Sequence, residues 1–297
     1  MKSLALIGVG RWGKNIVSTL EKIPGSNLKY LCADDKESLA PYAKKYEIML
    51  DWRDLLKKKD VGAVFIATPA KTHAEIASGF LTRNIAVFTE KPMTVNISEA
   101  KRLKMLVKKT GSVFMVGYQY VYNGYVNFIK KEIEAGSFGK ILAVESEQAL
   151  IPPRQDIDVF WDAGPHPLSI FQYLFNPAHL LSAEGKIAHD SALVHVTFEN
   201  TPKLEIAASY FGAKKTRKLT IVGEKAAAIL DETLEKNKLA IVKNGKTVRP
   251  EIDAGESLKN ELEHFLRCVQ TGETPRTNVA FGSTITEWLE IISKKIK

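Results

Sequence analysis

Three glycines at one turn constrain this chain most: Gly8-Val9-Gly10-Arg11-Trp12-Gly13 lies between an apolar run at 4–7 and a helical pattern at 15–22. Each glycine answers a separate mechanical need. Gly8 permits the tight turn, Gly10 lets the backbone approach a diphosphate, and Gly13 lets helix and strand pack closely. The helix start then offers N–H groups and a partial positive charge to phosphate oxygens. In this strand–turn–helix setting the motif predicts a dinucleotide site that includes Gly8, Gly10, Arg11, Trp12 and Gly13. Asp34, at the end of the next apolar run, is placed to accept hydrogen bonds from a ribose. A carboxylate there repels a 2′-phosphate, so NAD is expected ahead of NADP, with Lys36 as the residue that would meet such a phosphate.

The alternation that follows extends the same reading. Candidate strands at 4–7, 29–33, 63–67, 86–89 and 113–116 are separated by helical patterns at 15–22, 39–46, 52–58, 73–83 and 97–108. Strand–helix alternation with continuous apolar strand runs predicts a parallel sheet covered on both faces, a Rossmann domain over 1–120. Beyond 120 the grammar changes. A helix at 125–135, a strand at 141–148 and a helix at 165–175 precede strand patterns at 192–198, 204–210, 218–222, 227–230 and 239–242. Asn244-Gly245 is a hairpin signal, and helices return at 258–269 and 285–295. The expected fold is α/β, with an α+β second domain over 121–297 built on an open, mainly antiparallel sheet. That domain is expected to bind substrate and to form a homodimer or homotetramer, because an open sheet face needs covering.

The remaining function classes are narrowed by composition. At 297 residues, 45% hydrophobic and 26% charged, the chain has ample material for a core and none of the signatures of disorder. The 42 Lys+Arg outnumber the 34 Asp+Glu, giving +8. These basic residues are spread along the chain without a helix-turn-helix or aromatic RNA-binding pattern, so a small anionic ligand is expected and nucleic acid is not. The 20 positions 110–129 carry no charge, yet their four tyrosines, Gln119 and two asparagines suit a buried strand and site loop better than a membrane span. Two cysteines make neither a disulfide framework nor a zinc cage, so no metal is expected and a reducing, cytoplasmic location is.

Two further segments carry chemistry. Glu90-Lys91-Pro92 follows the strand at 86–89, at the carboxyl edge where open parallel sheets bind ligands. A lysine held there can fix a substrate hydroxyl and exchange a proton. The plainer alternative is an ion pair between neighbours. Trp161-Asp162-Ala163-Gly164-Pro165-His166-Pro167-Leu168-Ser169 places Asp162 just before a helix start and His166 in its first turn. Histidine is the side chain best matched to taking a proton from an alcohol near neutral pH, although most half-buried histidines are merely satisfied.

Together the glycine motif, Glu90-Lys91-Pro92 and the Asp162-to-His166 block resemble the Gfo/Idh/MocA oxidoreductase family over nearly the whole chain. The segments 118–141 and 161–174 are most similar to the branch acting on nucleotide-linked N-acetyl sugars, through Tyr122-Asn123, Gly136-Ser137-Phe138-Gly139-Lys140 and Trp161–His166. The resemblance implies Lys91 as a catalytic residue, a cis Lys91-Pro92 peptide, Asp162 orienting substrate and His166 as acid and base. It implies that Thr68, Pro69 and His73, with Glu90, lie on the cofactor side. Tyr118, Gln119, Asn123 and Trp161 are expected around the sugar, and Arg154 is the candidate for a phosphate or carboxylate. Three departures bear on sugar identity. Tyr118-Gln119-Tyr120-Val121 stands where an arginine is frequent, Ser169 replaces the block's closing Asp, and Pro167 occupies a usually acidic position. The expected reaction is hydride transfer between NAD and a secondary alcohol of a sugar. A dehydrogenase of free sugars or inositols is the near alternative, and a non-catalytic NAD sensor the distant one, since a sensor needs none of Lys91, Asp162 and His166.

Overall fold

The apolar runs of the first third pair as parallel strands. In order come β1 (Ser3–Ile7), α1 (Arg11–Leu20), β2 (Leu28–Cys32), α2 (Lys36–Leu39), β3 (Glu47–Met49), α3 (Trp52–Leu55), β4 (Val61–Ile66), α4 (His73–Leu81), β5 (Ala86–Glu90), α5 (Ile97–Thr110) and β6 (Phe114–Gly117). The sheet order is β3-β2-β1-β4-β5-β6, every pair parallel. Every residue of β1, β5 and β6 is buried, which is why these strands read as unbroken hydrophobic runs rather than alternations. The order reverses beside β1, so the crevice for a ligand opens at the carboxyl ends of β1 and β4. One expectation fails here. The helix read at 39–46 is only the short α2 and a 3₁₀ turn opened by Ala40-Pro41, and the edge strand β3 follows it. Proline fixes φ and lacks the N–H a longer helix would need.

The computed structural model describes residues 2–149 and 151–296. A second unit begins at Tyr120, with α6 (Gly124–Glu134), β7 (Ile141–Ala149), α7 (Val159–Ala163), α8 (Pro165–Phe175), β8 (Leu180–Ile187), β9 (Ser191–Phe198), β10 (Lys203–Ser209), β11 (Thr216–Gly223), β12 (Ala227–Asp231), β13 (Leu239–Lys243) and β14 (Lys246–Val248). Its sheet runs β14-β13-β12-β11-β7-β10-β9-β8 and is antiparallel except between β7 and β10. Val194, Val196, Phe198, Leu204 and Ile206 alternate inward to form its core, while Leu193 and His195 face out. Asn244 and Gly245, at φ 50° and 72°, make the hairpin between β13 and β14, as a two-residue turn with both φ positive requires. The edge strands β8 and β14 escape the sequence pattern because they bury little: all three residues of β14 are exposed.

The last helices are α9 (Ser257–Thr271) and α10 (Val279–Ile296). Within the expected second domain, Glu256–Glu287 pack with the first unit, and the residues from Trp288 on pack with the second. The physical reason is an aromatic cluster. Phe265 of α9 meets Phe65 of β4 at 5.2 Å and Phe88 of β5 at 5.7 Å between ring centroids, both edge-on. Thr277 then ties itself to β6, its hydroxyl donating to the Val116 carbonyl at 2.7 Å and its carbonyl accepting from the Val116 N–H at 2.9 Å. No helix among the described residues is long and apolar enough to cross a membrane.

Candidate active site

In the first unit the glycine turn has the shape its sequence demands. Gly8 sits at φ +94°, and a Cβ there would lie 2.6 Å from the Ala67 carbonyl oxygen. A Cβ at Gly13 would lie 2.0 Å from the Gly8 carbonyl oxygen, whereas one at Gly10 would meet nothing within 4 Å. Gly8 and Gly13 are therefore closed against the protein, and Gly10 faces open space. Gly10 caps α1 with no side-chain hydrogen bond, and the first turn holds no acidic residue, so the helix start is left to an outside anion. Asp34 is exposed just beyond β2, while its neighbour Asp35 caps α2 by accepting from the Ser38 N–H at 2.7 Å. These residues fit a dinucleotide, its diphosphate against Gly10 and its ribose toward Asp34.

At the end of β5, Glu90 is only 8% exposed. Its Oε1 accepts from Trp12 Nε1 at 2.6 Å and its Oε2 from the Lys91 N–H at 3.3 Å. Burial pushes its pKa up to about 7, against the opposing effect of the Trp12 donor. Glu90 and Trp12, both expected on the cofactor side, are thus bound to each other. The Lys91-Pro92 peptide is cis, as the resemblance implies. His73, expected on the cofactor surface, is 1% exposed. Its Nδ1 lies 2.9 Å from the Pro92 carbonyl oxygen and its Nε2 2.9 Å from that of Thr68. It therefore joins the Thr68 loop to the Lys91-Pro92 segment from behind. Thr68 shares a 2.7 Å hydroxyl contact with Thr72, and Pro69 is exposed. Tyr118 is fully buried, packs on Phe281 at 5.7 Å, and its hydroxyl has no partner among the described residues. It packs in the core of the first unit, and Gln119 beside it is half-buried.

The second unit carries Asp162 and His166. Asp158 caps α7 by accepting from the Trp161 N–H at 2.9 Å, and Trp161 Nε1 donates to Ser293 Oγ at 3.1 Å. Asp162, 7% exposed, therefore sits on a firmly anchored turn. Gly164 is required at the junction of α7 and α8, since a Cβ there would lie 2.5 Å from the Phe160 carbonyl oxygen. Next in line, His166 opens α8 half-buried, its ring edge-on to Tyr120 at 4.9 Å. Burial, partly offset by Arg217, pushes the Tyr120 phenol up to about 12. Ser169, in place of an Asp, is buried and donates back to the His166 carbonyl at 2.8 Å.

A small pocket beside His166 is lined by Tyr120, Ser146, Gln148, Arg217 and Glu232 among others. Sequence reasoning missed Ser146, Gln148 and Arg217. The signal was present, because Ser146 and Gln148 fall on the inward face of β7 next to Val144, where a strand otherwise buries apolar side chains. Two expected substrate contacts are engaged elsewhere. Asn123 caps α6, accepting from the Tyr125 and Val126 N–H groups at 2.9 and 3.2 Å, and its amide donates to Glu232 at 2.9 Å. Arg154 is bound through two nitrogens to Asp156, at 2.9 and 2.6 Å, and its third lies 3.6 Å from Asp162.

Comparison with known proteins agrees with this geometry. Residues 2–118 match the Gfo/Idh/MocA description "Oxidoreductase family, NAD-binding Rossmann fold", and residues 130–297 match "Oxidoreductase family, C-terminal alpha/beta domain". The chain is 25% identical to scyllo-inositol 2-dehydrogenase (NAD(+)) of Bacillus subtilis, over 91% of this chain and 87% of that one. Among solved structures it superposes on UDP-N-acetylglucosamine 3-dehydrogenase GnnA of Acidithiobacillus ferrooxidans with TM-score 0.87 and 21% identity, covering 99% of this chain and 97% of that one. It superposes equally on KijD10, a 3-ketoreductase of Actinomadura kijaniata in complex with NADP and TDP-benzene, with TM-score 0.89 and 16% identity over 100% and 98%. With both of its domains matched in order, the chain belongs to the Gfo/Idh/MocA family of oxidoreductases.

Proposed function

We propose that this protein is an NAD-dependent dehydrogenase of a secondary alcohol on a sugar, with a nucleotide-linked N-acetyl sugar as substrate. NAD, when bound, supplies the hydride acceptor at nicotinamide C4. Lys91 fixes the reacting hydroxyl, Asp162 orients the sugar, and His166 takes the hydroxyl proton on oxidation and returns it on reduction. Asp34 accepts the ribose hydroxyls and sets the preference for NAD. The observation that carries this reading is the support behind the reacting groups. Lys91 follows a buried Glu90 held by Trp12, and His166 opens a helix beside a pocket lined by Gln148 and Arg217. Arg217 and the +8 charge favour an anionic sugar derivative. Exposed Leu142, Leu181 and Leu193 on the second sheet support a homodimer or homotetramer, and the two unpaired, buried thiols Cys32 and Cys268 support a cytoplasmic setting.

Lys91→Met and His166→Asn test the assignment. Each is expected to lower kcat by roughly 100-fold or more with NADH affinity nearly unchanged, and parent-like turnover in either removes that residue from the chemistry. A second reading, oxidation of a free inositol or sugar, is favoured by one observation: Arg154, the loop cation offered for a phosphate, is already bound to Asp156 and Asp162.

A further inference from the structure

Behind the Glu90-Lys91-Pro92 segment lies a second buried carboxyl that the reaction above does not use. Glu261 of α9 is 1% exposed, and neither of its oxygens has a hydrogen-bond partner among the described residues. Its position follows from the aromatic cluster. On α9, Glu261 and Phe265 are one turn apart and share a face; on β5, Phe88 and Glu90 are two residues apart and share a face. The contact of Phe265 with Phe88 therefore sets Glu261 in the layer of Glu90. The two carboxyls are not equivalent. Glu90 has two donors, the Trp12 indole and the Lys91 N–H, and is the member of the pair that ionises first. Glu261 has none, and its ionised form would stand unpaired in a dry site beside a like charge.

We infer that Glu261 is a positioning residue for Lys91: it holds a proton at neutral pH and, as the neutral member of a buried pair with Glu90, limits the charge behind Lys91 to one negative unit. Burial first, and the field of Glu90 second, raise the proton affinity of Glu261 well above the ordinary carboxylate range. Around the pair, β5 ends in Glu90 with Lys91 next in the chain, α1 contributes the uncharged Trp12 indole, and β6 contributes Gly117. Among the described residues, Glu90 is the charged group whose field bears on Glu261. When the pair loses its last shared proton at alkaline pH, two negative charges stand behind the Glu90-Lys91-Pro92 segment.

The inference rests on Lys91 acting in the reaction, and its test separates the two claims. Infrared difference spectra of the whole protein at neutral pH should show protonated carboxylic-acid absorbance that is reduced in Glu261→Gln, the remainder belonging to Glu90. A parent without that absorbance, or absorbance unchanged in the variant, overturns the inference with no turnover measured. In the functional arm, Glu261→Gln should keep kcat at neutral pH within about two-fold while its pH profile on the alkaline side shifts by roughly one unit. A profile superimposable on the parent's overturns the positioning role. The infrared titration of the parent alone decides the protonation state if the variant folds poorly. Loss of the proposed role of Lys91 would leave the infrared result standing.

Discussion

The three glycines of the first turn carry the same residue type for three different reasons, so alanine at each should fail differently. At Gly8, alanine must adopt φ +94°, which costs an L-residue about 1–2 kcal/mol. Its Cβ would also press on the Ala67 and Thr68 backbone at 2.6–2.9 Å, adding about 1–3 kcal/mol of overpacking. At Gly13, alanine gains about 1 kcal/mol of helix propensity. It must still clear a 2.0 Å approach to the Gly8 carbonyl oxygen, and because that neighbour is backbone the net loss should be about 2–4 kcal/mol. At Gly10, φ is −71° and nothing lies within 4 Å, so stability should move by less than about 1 kcal/mol. The methyl group there occupies the approach of the diphosphate, and NADH affinity should fall by roughly 10- to 100-fold, about 1.4–2.8 kcal/mol. Urea unfolding followed by tryptophan fluorescence, with NADH titration of each folded variant, separates the three. Parent-like NADH binding by Gly10→Ala, or parent-like stability in Gly8→Ala and Gly13→Ala, would refute the reasoning.

Stability should depend on pH through Glu90, which titrates at about 7 in the fold against 4.5 as its ordinary value. Because the unfolded chain releases this proton first, stability falls as pH rises between those values, and Glu90→Gln removes that fall; urea midpoints of both proteins across that range check it, and parallel curves would contradict it. Phe265→Ala, at a fully buried ring touching Phe65 and Phe88, should cost about 3–5 kcal/mol, and a loss under about 1 kcal/mol would detach α9 from the first unit's core. Fluorescence titration should show tighter binding of NADH than NADPH, and Asp34→Asn should narrow that gap; a parent preferring NADPH would show that Lys36 outweighs the carboxylate.

What could be read from sequence was whatever a local requirement dictates. The glycine turn, the buried parallel strands and the Asn244-Gly245 hairpin each need particular residues at particular positions, and each stands where expected. The path of α9 was illegible because its amphipathic face states that the helix packs but not against which sheet; Phe265 finds Phe65 and Phe88 some 200 and 177 residues earlier in the chain. Tyr118 and Asn123 were expected near the sugar through the family resemblance, and they sit in an uncharged, aromatic-rich stretch. That stretch is uncharged because it is buried, and Asn123, directly before the helical run from Gly124, bears the mark of a helix cap. His73 shows what the resemblance alone leaves open: a histidine beside a ligand loop can hold that loop from inside, through the Pro92 and Thr68 carbonyls.

The central claim is that this protein moves a hydride between NAD and a sugar carbinol. The most direct measurement follows reduced-cofactor absorbance with a panel of UDP-linked N-acetyl sugars, free sugars and inositols, at low and high ionic strength. NAD reduction by a nucleotide-linked N-acetyl sugar is expected, with KM rising with salt as screening weakens the attraction of basic groups for the diphosphate. Turnover of inositols or free sugars alone would correct the substrate and keep the chemistry. A protein that binds NADH yet oxidises no member of the panel, and reduces none of the matching ketones, would contradict the account.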